Sequence, residues 1–203
     1  MKQYDAVIFD WDGTIMDSTQ SIVSAIQLAC ADMQLPVPAR ERAAWVIGLS
    51  LESALYHVAP DLPSDQLFAF VERYKHHFFQ NDQAIPLFDG IPEVLSGLKE
   101  ERVSLAVATG KGRIGLDRVL HASNLTMLFD IIHGLGLEQA RVVMVGDTTH
   151  DVLMAHNAGI DSIAVSYGAH DVDTLRSAEP TVLVHSVEEM GDWLFGRLVP
   201  VVR

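Results

Sequence analysis

The chain has 203 residues, 49% of them apolar, a length that suits one large domain or a domain carrying an insertion. Its formal net charge of −13 argues against nucleic acid or an anionic membrane as the main partner. Cys30 is the only cysteine, the N-terminus has no basic-then-apolar leader, and no apolar run approaches about 18 residues, so no intrachain disulfide, a reduced cytoplasmic setting and no membrane span are expected.

Ala6 to Phe9 is a continuous apolar run, the mark of a strand buried on both faces of a parallel sheet. It ends in Asp10-Trp11-Asp12-Gly13-Thr14. Ligands of open parallel sheets bind at the carboxyl ends of strands, so Asp10 and Asp12 stand where chemistry is placed. The bland alternative is a surface turn, since Asp and Gly are common turn residues. The pattern D-x-D-G-T arises by chance in roughly one chain in several hundred of this length, so its weight depends on partners further along.

Ser18 to Met33 reads as a helix, with Ile22, Val23, Ile26, Ala29, Cys30 and Met33 at helical spacing. Pro36 and Pro38 close it. Further helices are predicted over Ala39–Val46, Leu51–Val58 and Asp65 to about Gln80, the last with Ser64 as N-cap. Residues 18–84 therefore read as an all-helical insertion. Alternation begins after Pro86. A helix over Glu93–Glu100 leads to a strand, Val103–Ala108, which ends in Thr109-Gly110-Lys111. A helix over Ile114–Ala122 precedes a short third strand, Leu128–Ile132. A fourth strand, Val142–Val145, runs into Gly146-Asp147-Thr148-Thr149-His150-Asp151. A helix over Val152–Asn157, closed by Gly159, a strand over Ser162–Val165, a sixth strand over Thr181–Val184 and a helix over Val187–Leu198 complete an α/β sheet.

Three strand ends thus carry polar groups: Asp10/Asp12, Thr109/Lys111 and Asp147/Asp151. The ordered set D-W-D-G-T, A-T-G-K and G-D-T-T-H-D resembles the haloacid dehalogenase superfamily, and in particular its phosphoglycolate-phosphatase-like branch. The resemblance covers nearly the whole chain. It implies a Rossmann-like core from residues 1–17 and 85–203, with a small helical cap domain over 18–84. It also implies a phosphomonoester hydrolase acting on a small phosphorylated metabolite, with phosphoglycolate the expected substrate.

Site roles follow from the resemblance. Asp10 matches the nucleophile that forms an aspartyl-phosphate, and Asp12 the acid/base that protonates the leaving alkoxide. Mg²⁺, a hard cation that prefers oxygen, is the implied cofactor, held by Asp10, the backbone carbonyl of Asp12, and Asp147. Asp151 is implied to hold the metal-binding loop. Thr109 is implied to donate to the phosphate, with Gly110 permitting close approach. Lys111 reads either as a solvent-facing lysine at a helix start or as a phosphate contact. His150 reads as a loop surface residue, and His76-His77 as a solvated helix face. Gly48-Leu49-Ser50 is either a plain helix break or the cap loop that meets substrate. With Leu51 it offers no basic residue for a second phosphate, which weighs against a sugar-phosphate mutase.

One departure stands out. The family carries a lysine between its third and fourth strands, often in K-P-x-P, and this chain has none there: Phe129–His133 runs almost directly into Gly134–Arg141. In the family the third strand is separated from the fourth by the second and first. Three spacings of ~4.8 Å require about 14 Å sideways travel, and the chain must also return along the sheet. The segment His133–Arg141 reaches roughly 30 Å only when extended, and a helix of that length spans about 13 Å. The third strand is therefore expected to be displaced, or the connection to cross without a helix. The uncovered apolar face would favour a homodimer or low stability. Loss of the lysine leaves two anions facing each other with one positive charge fewer, so weak activity, or an impaired protein that keeps the fold and metal site, is the alternative reading. Lys111 or Arg113 are the candidate replacements.

Overall fold

The computed structural model describes residues 4–81, 85–129 and 141–198. Among them, five parallel strands form one sheet: β1 (Ala6–Phe9), β2 (Ser104–Val107), β3 (Val142–Gly146), β4 (Asp161–Val165) and β5 (Val182–Val184), in the order β2-β1-β3-β4-β5. The strands are short and apolar because both faces are covered. Val7, Phe9, Leu105, Val143, Val145, Ile163 and Val165 sit in the main core with Trp11, Ile91, Leu95 and Met190.

Register places the polar strand ends together. Phe9 aligns with Val107 on one side and Val145 on the other. Just beyond, the Ala108 N–H donates to Phe9 O (2.9 Å) and the Asp10 N–H to Val145 O (2.8 Å). Asp10, Thr109 and Asp147 therefore leave the sheet at one edge.

Between β1 and β2 the chain forms α1 (Thr19–Asp32), α2 (Arg40–Trp45), α3 (Leu51–Val58), a 3₁₀ turn (Ser64–Gln66) and α4 (Leu67–Asn81). These helices bury a second apolar cluster that includes Ile26, Ala29, Leu55, Phe70 and Phe78, with α1 packed along α4. The insert leaves and rejoins the sheet through two adjacent backbone segments. The Asp17 N–H donates to Pro86 O (3.0 Å) and the Phe88 N–H to Ile15 O (3.0 Å). Helices α5 (Ile91–Glu100), α6 (Arg113–Ala122), α7 (Thr149–Ala158), α8 (Val172–Ser177) and α9 (Val187–Phe195) complete the α/β framework. Among the described residues no helix is long and apolar enough to cross a membrane.

Three expectations change. Leu128 and Phe129, read as the start of a strand, lie in a turn and irregular chain. They pack on the main core instead, with the Phe129 ring edge-on to Trp11 at 6.2 Å. The rest of that strand and the short connection before Val142 lie outside the described residues. Ser64 is not an N-cap; it opens the 3₁₀ turn, which Pro63 precedes. Residues 172–177, unassigned from the sequence, form α8, capped by Asp171, whose carboxylate accepts from the N–H groups of Asp173 and Thr174.

Candidate active site

The loops after β1 and β3 bring three carboxylates face to face. Asp10, Asp147 and Asp151 are all buried, and each offers an oxygen within 4.8 Å of the others. The backbone has been shaped for this approach. Gly13 has φ +90°, and a Cβ there would lie 2.2 Å from Asp147 Oδ2. A Cβ on Gly168 would collide with the same oxygen at 2.2 Å.

Each acid is held differently. Asp147 Oδ1 accepts from the Thr14 hydroxyl (3.0 Å) and Oδ2 from the Ala169 N–H (2.6 Å). Asp151 sits at the start of α7 in a reciprocal capping box. Its Oδ2 accepts from the Thr148 N–H (3.0 Å) and hydroxyl (2.7 Å), and Thr148 Oγ1 accepts from the Asp151 N–H (3.4 Å). Asp10 Oδ2 is buried with no hydrogen-bond partner.

The electrostatics follow from this crowding. Burial, then the charges of Asp151, Asp147 and Asp12, push the Asp10 carboxyl well above its usual range. Burial and Asp151 push Asp147 up to about 7, against the lowering effect of the Ala169 N–H and Thr14 hydroxyl. Burial raises Asp151 as well. An unpartnered buried carboxylate oxygen beside two more acids is a donor set for a hard divalent cation.

Asp12 has partners of its own. Its Oδ1 accepts from the Ser18 hydroxyl (2.8 Å), and its Oδ2 pairs with Lys111 Nζ (3.0 Å). The solvent-facing reading of Lys111 is therefore corrected. The side chain is only 16% exposed, and its ammonium also lies 5.2 Å from the centre of the Phe78 ring in α4. The backbone of the preceding turn aims it inward, with Thr109 Oγ1 accepting from the Lys111 N–H (3.2 Å). Arg113 does not join the site; it turns outward to Asp117 (2.8 Å) and stays largely exposed. Arg141 pairs with Asp5 at the far end of the sheet.

The insert closes over this floor. A Cβ on Gly110 would lie 2.5 Å from Leu49 O, so the Gly48-Leu49 turn is pressed against the loop after β2. The close approach that Gly110 permits is to the helical insert. Further along, the Trp45 carbonyl accepts from His150 Nε2 (2.9 Å) and His170 Nε2 (3.1 Å). His170 Nδ1 accepts from the Thr149 N–H (3.1 Å), which places its proton on Nε2. Burial lowers the His170 pKa, in keeping with a neutral ring. The Trp45 indole lies edge-on to His57 and His150 and stacks over His170. Sequence reading passes over His170 and treats His150 as surface, because the partner of both is a main-chain carbonyl in a distant helix. His77 bonds to Asp32 (2.8 Å) within the insert, away from the carboxylates.

Gly13 provides a direct test of the acid cluster. Gly13→Ala places a side chain at a left-handed φ, costing about 1–3 kcal/mol, and drives its Cβ into Asp147. Thermal unfolding should show a lower Tm. A variant with wild-type Tm would show that Asp147 does not need its present position.

Residues 7–135 match the family model described as haloacid dehalogenase-like hydrolase, and residues 120–190 match a model described as HAD-hydrolase-like. The probable phosphatase IndB of Dickeya dadantii is 36% identical over 210 residues, spanning 91% of this chain and 90% of that protein. The phosphoglycolate phosphatase of Agrobacterium fabrum is 29% identical, spanning 95% of this chain and 93% of that one. The crystal structure of a predicted phosphatase from Clostridium acetobutylicum shares the fold, with a TM-score of 0.84 at 23% identity over 96% of this chain and 99% of that one.

Proposed function

The chain belongs to the haloacid dehalogenase-like hydrolases, and from that premise we propose that it is a phosphatase that hydrolyses phosphomonoesters through an aspartyl-phosphate on Asp10. The observation that carries this reading is the unpartnered buried oxygen of Asp10 beside Asp147 and Asp151, at the floor of a cavity closed by the helical insert. Mg²⁺ would be held by Asp10, the Asp12 carbonyl and Asp147, with Asp151 fixing the loop; bound there, it would neutralise the carboxylates and polarise the phosphoryl oxygens.

In the first half-reaction an Asp10 carboxylate oxygen attacks phosphorus. The bond from phosphorus to the ester oxygen breaks, and the Asp12 carboxyl gives its proton to the departing alkoxide. In the second half, water attacks the phosphorus of the aspartyl-phosphate while Asp12 takes its proton. The acyl-phosphate P–O bond breaks, releasing phosphate and restoring the Asp10 carboxylate. Lys111 holds Asp12 in place and supplies a positive charge beside the incoming phosphate. Thr109 lies in the same turn to donate its hydroxyl to that phosphate. Residues 18–84 serve as the cap that excludes bulk water from the intermediate. Phosphoglycolate, the substrate in the Agrobacterium relative's name, is the reference ester. The test is Mg²⁺-dependent phosphate release from phosphoglycolate and an aryl phosphate, with Asp10→Asn as control. Release that does not depend on Mg²⁺ or on Asp10 would overturn the reading.

The acid cluster also sets a pH-dependent signature. The folded pKa of Asp147 is raised from 3.8 to about 7, so the folded protein keeps a proton that the unfolded chain gives up. That contribution to stability is complete below about pH 4 and is lost as pH rises through about 7. A bound cation would take the place of the proton. Mg²⁺ should therefore change Tm little at pH 5 and raise it by about 5 °C at pH 8. Equal shifts at the two pH values would count against a cation among these carboxylates.

A further inference from the structure

The cavity between sheet edge and insert measures about 860 Å³, and its floor is Asp10, Asp12 and the Thr109–Lys111 turn. This is a volume suited to a drug-sized ligand, far more than a two-carbon acid needs beyond its phosphate. Its walls rise from the insert and are apolar: Ile26, Ile47, Leu55, Phe70 and Phe78 line it and are themselves buried. At the mouth, Phe79 and Ile114 also line it and stay exposed, at 47% and 88%.

The charge of the walls is as informative as their shape. Among the described residues, four cationic side chains border the cavity, and each already has a partner. Lys111 pairs with Asp12 on the floor. Lys75 pairs with Glu72 (3.0 Å), and Arg113 with Asp117 (2.8 Å). The Arg118 guanidinium lies 4.4 Å from the centre of the Phe79 ring. A phosphate on the floor would take up Lys111. The carboxylate of a phosphoglycolate would then face Ile, Leu and Phe, where a buried anion without a partner is costly. An uncharged hydrocarbon would gain from the same walls, by about fourfold in affinity per methylene buried.

We propose that the preferred substrate is the phosphate monoester of an uncharged, predominantly apolar alcohol of aromatic or medium-chain size, with its phosphate on Asp10 and its hydrocarbon in the insert. This rests on the phosphomonoesterase reading above and specifies its substrate class. Residues Phe79 and Ile114 give the hydrocarbon an apolar entrance. The insert thus selects by volume and hydrophobicity, and the sheet edge by charge.

The test is a kcat/KM series at fixed Mg²⁺ for methyl, butyl and hexyl phosphate, 1-naphthyl phosphate and phosphoglycolate. The expected result is a rise of about fourfold per methylene, with naphthyl phosphate high and phosphoglycolate below butyl phosphate. A flat series, or phosphoglycolate as the best ester, would overturn the substrate class and leave the phosphatase intact. If no ester is hydrolysed, the phosphatase reading fails, and the cavity is judged by calorimetry of two stable ligands. Tighter binding of 1-naphthylmethylphosphonate than of phosphonoacetate supports the apolar assignment; equal or reversed affinities overturn it.

Discussion

Replacing Asp10 by asparagine is expected to lower phosphate release by at least about 10⁴-fold, because the change removes the attacking oxygen and not merely a contact. The substitution is nearly isosteric, so the sheet edge should persist. Without metal, the variant should be more stable than the wild type above pH 7. One of three mutually repelling buried acids is then gone, and the proton that Asp147 holds is needed less. The same variant should lose most of the Mg²⁺-induced rise in Tm. These three readings separate a nucleophile from a scaffold residue: a scaffold residue would lose activity and stability together. Turnover within a hundredfold of wild type would place the nucleophile elsewhere.

Lys111→Met should cost 10²–10³-fold in kcat/KM, the usual order for loss of a preorganised charge contact. The structure gives this lysine a task its sequence position does not announce. It is the cation paired with Asp12, and it is held nearly out of solvent against Phe78. A thioether chain of similar length keeps the packing and removes the charge. Lys111→Arg restores charge with a wider, planar group and should recover about tenfold of the loss. The effect should fall on kcat as well as KM, since the ammonium pairs with Asp12, the proposed acid/base. Wild-type turnover by Lys111→Met would show that this ammonium is not needed for turnover.

Much of the sheet is legible in the sequence because each strand is a local apolar run closed by a turn. Ala6–Phe9 and Val142–Gly146 need no distant information, and their polar ends foretell the meeting of Asp10 with Asp147. Helix α3, Leu51–Val58, is legible as a helix, while the Ser50 cap at its start, whose hydroxyl accepts from the Ser53 N–H (3.3 Å), comes only from the structure. The rest fails for identifiable reasons. Leu128 and Phe129 have strand composition, yet they pack on the core from a turn, where tertiary contact overrides propensity. The α8 signal is a single capping aspartate over six residues, too short for periodicity. The pairing of Lys111 with Asp12 joins two different loops, and the roles of His150 and His170 depend on a carbonyl in the insert. Substrate selectivity is the least legible of all. We propose that it resides in the cavity, which forms only when helices far apart in the sequence enclose it.

The junction at Trp45 has a thermodynamic consequence. His150 lies between Asp147 and Asp151 in sequence, while the His170 N–H donates to Asp147 O (3.3 Å) and its ring to Trp45 O. The loops that hold the acids therefore also hold the insert, and swinging it away breaks both imidazole contacts to one carbonyl. A ligand that binds the acid loops more tightly with the insert closed favours closure, and closure tightens that ligand by the same factor. Affinity at the acidic end and the closed population of the insert thus become linked quantities, so that changing either one retunes the other.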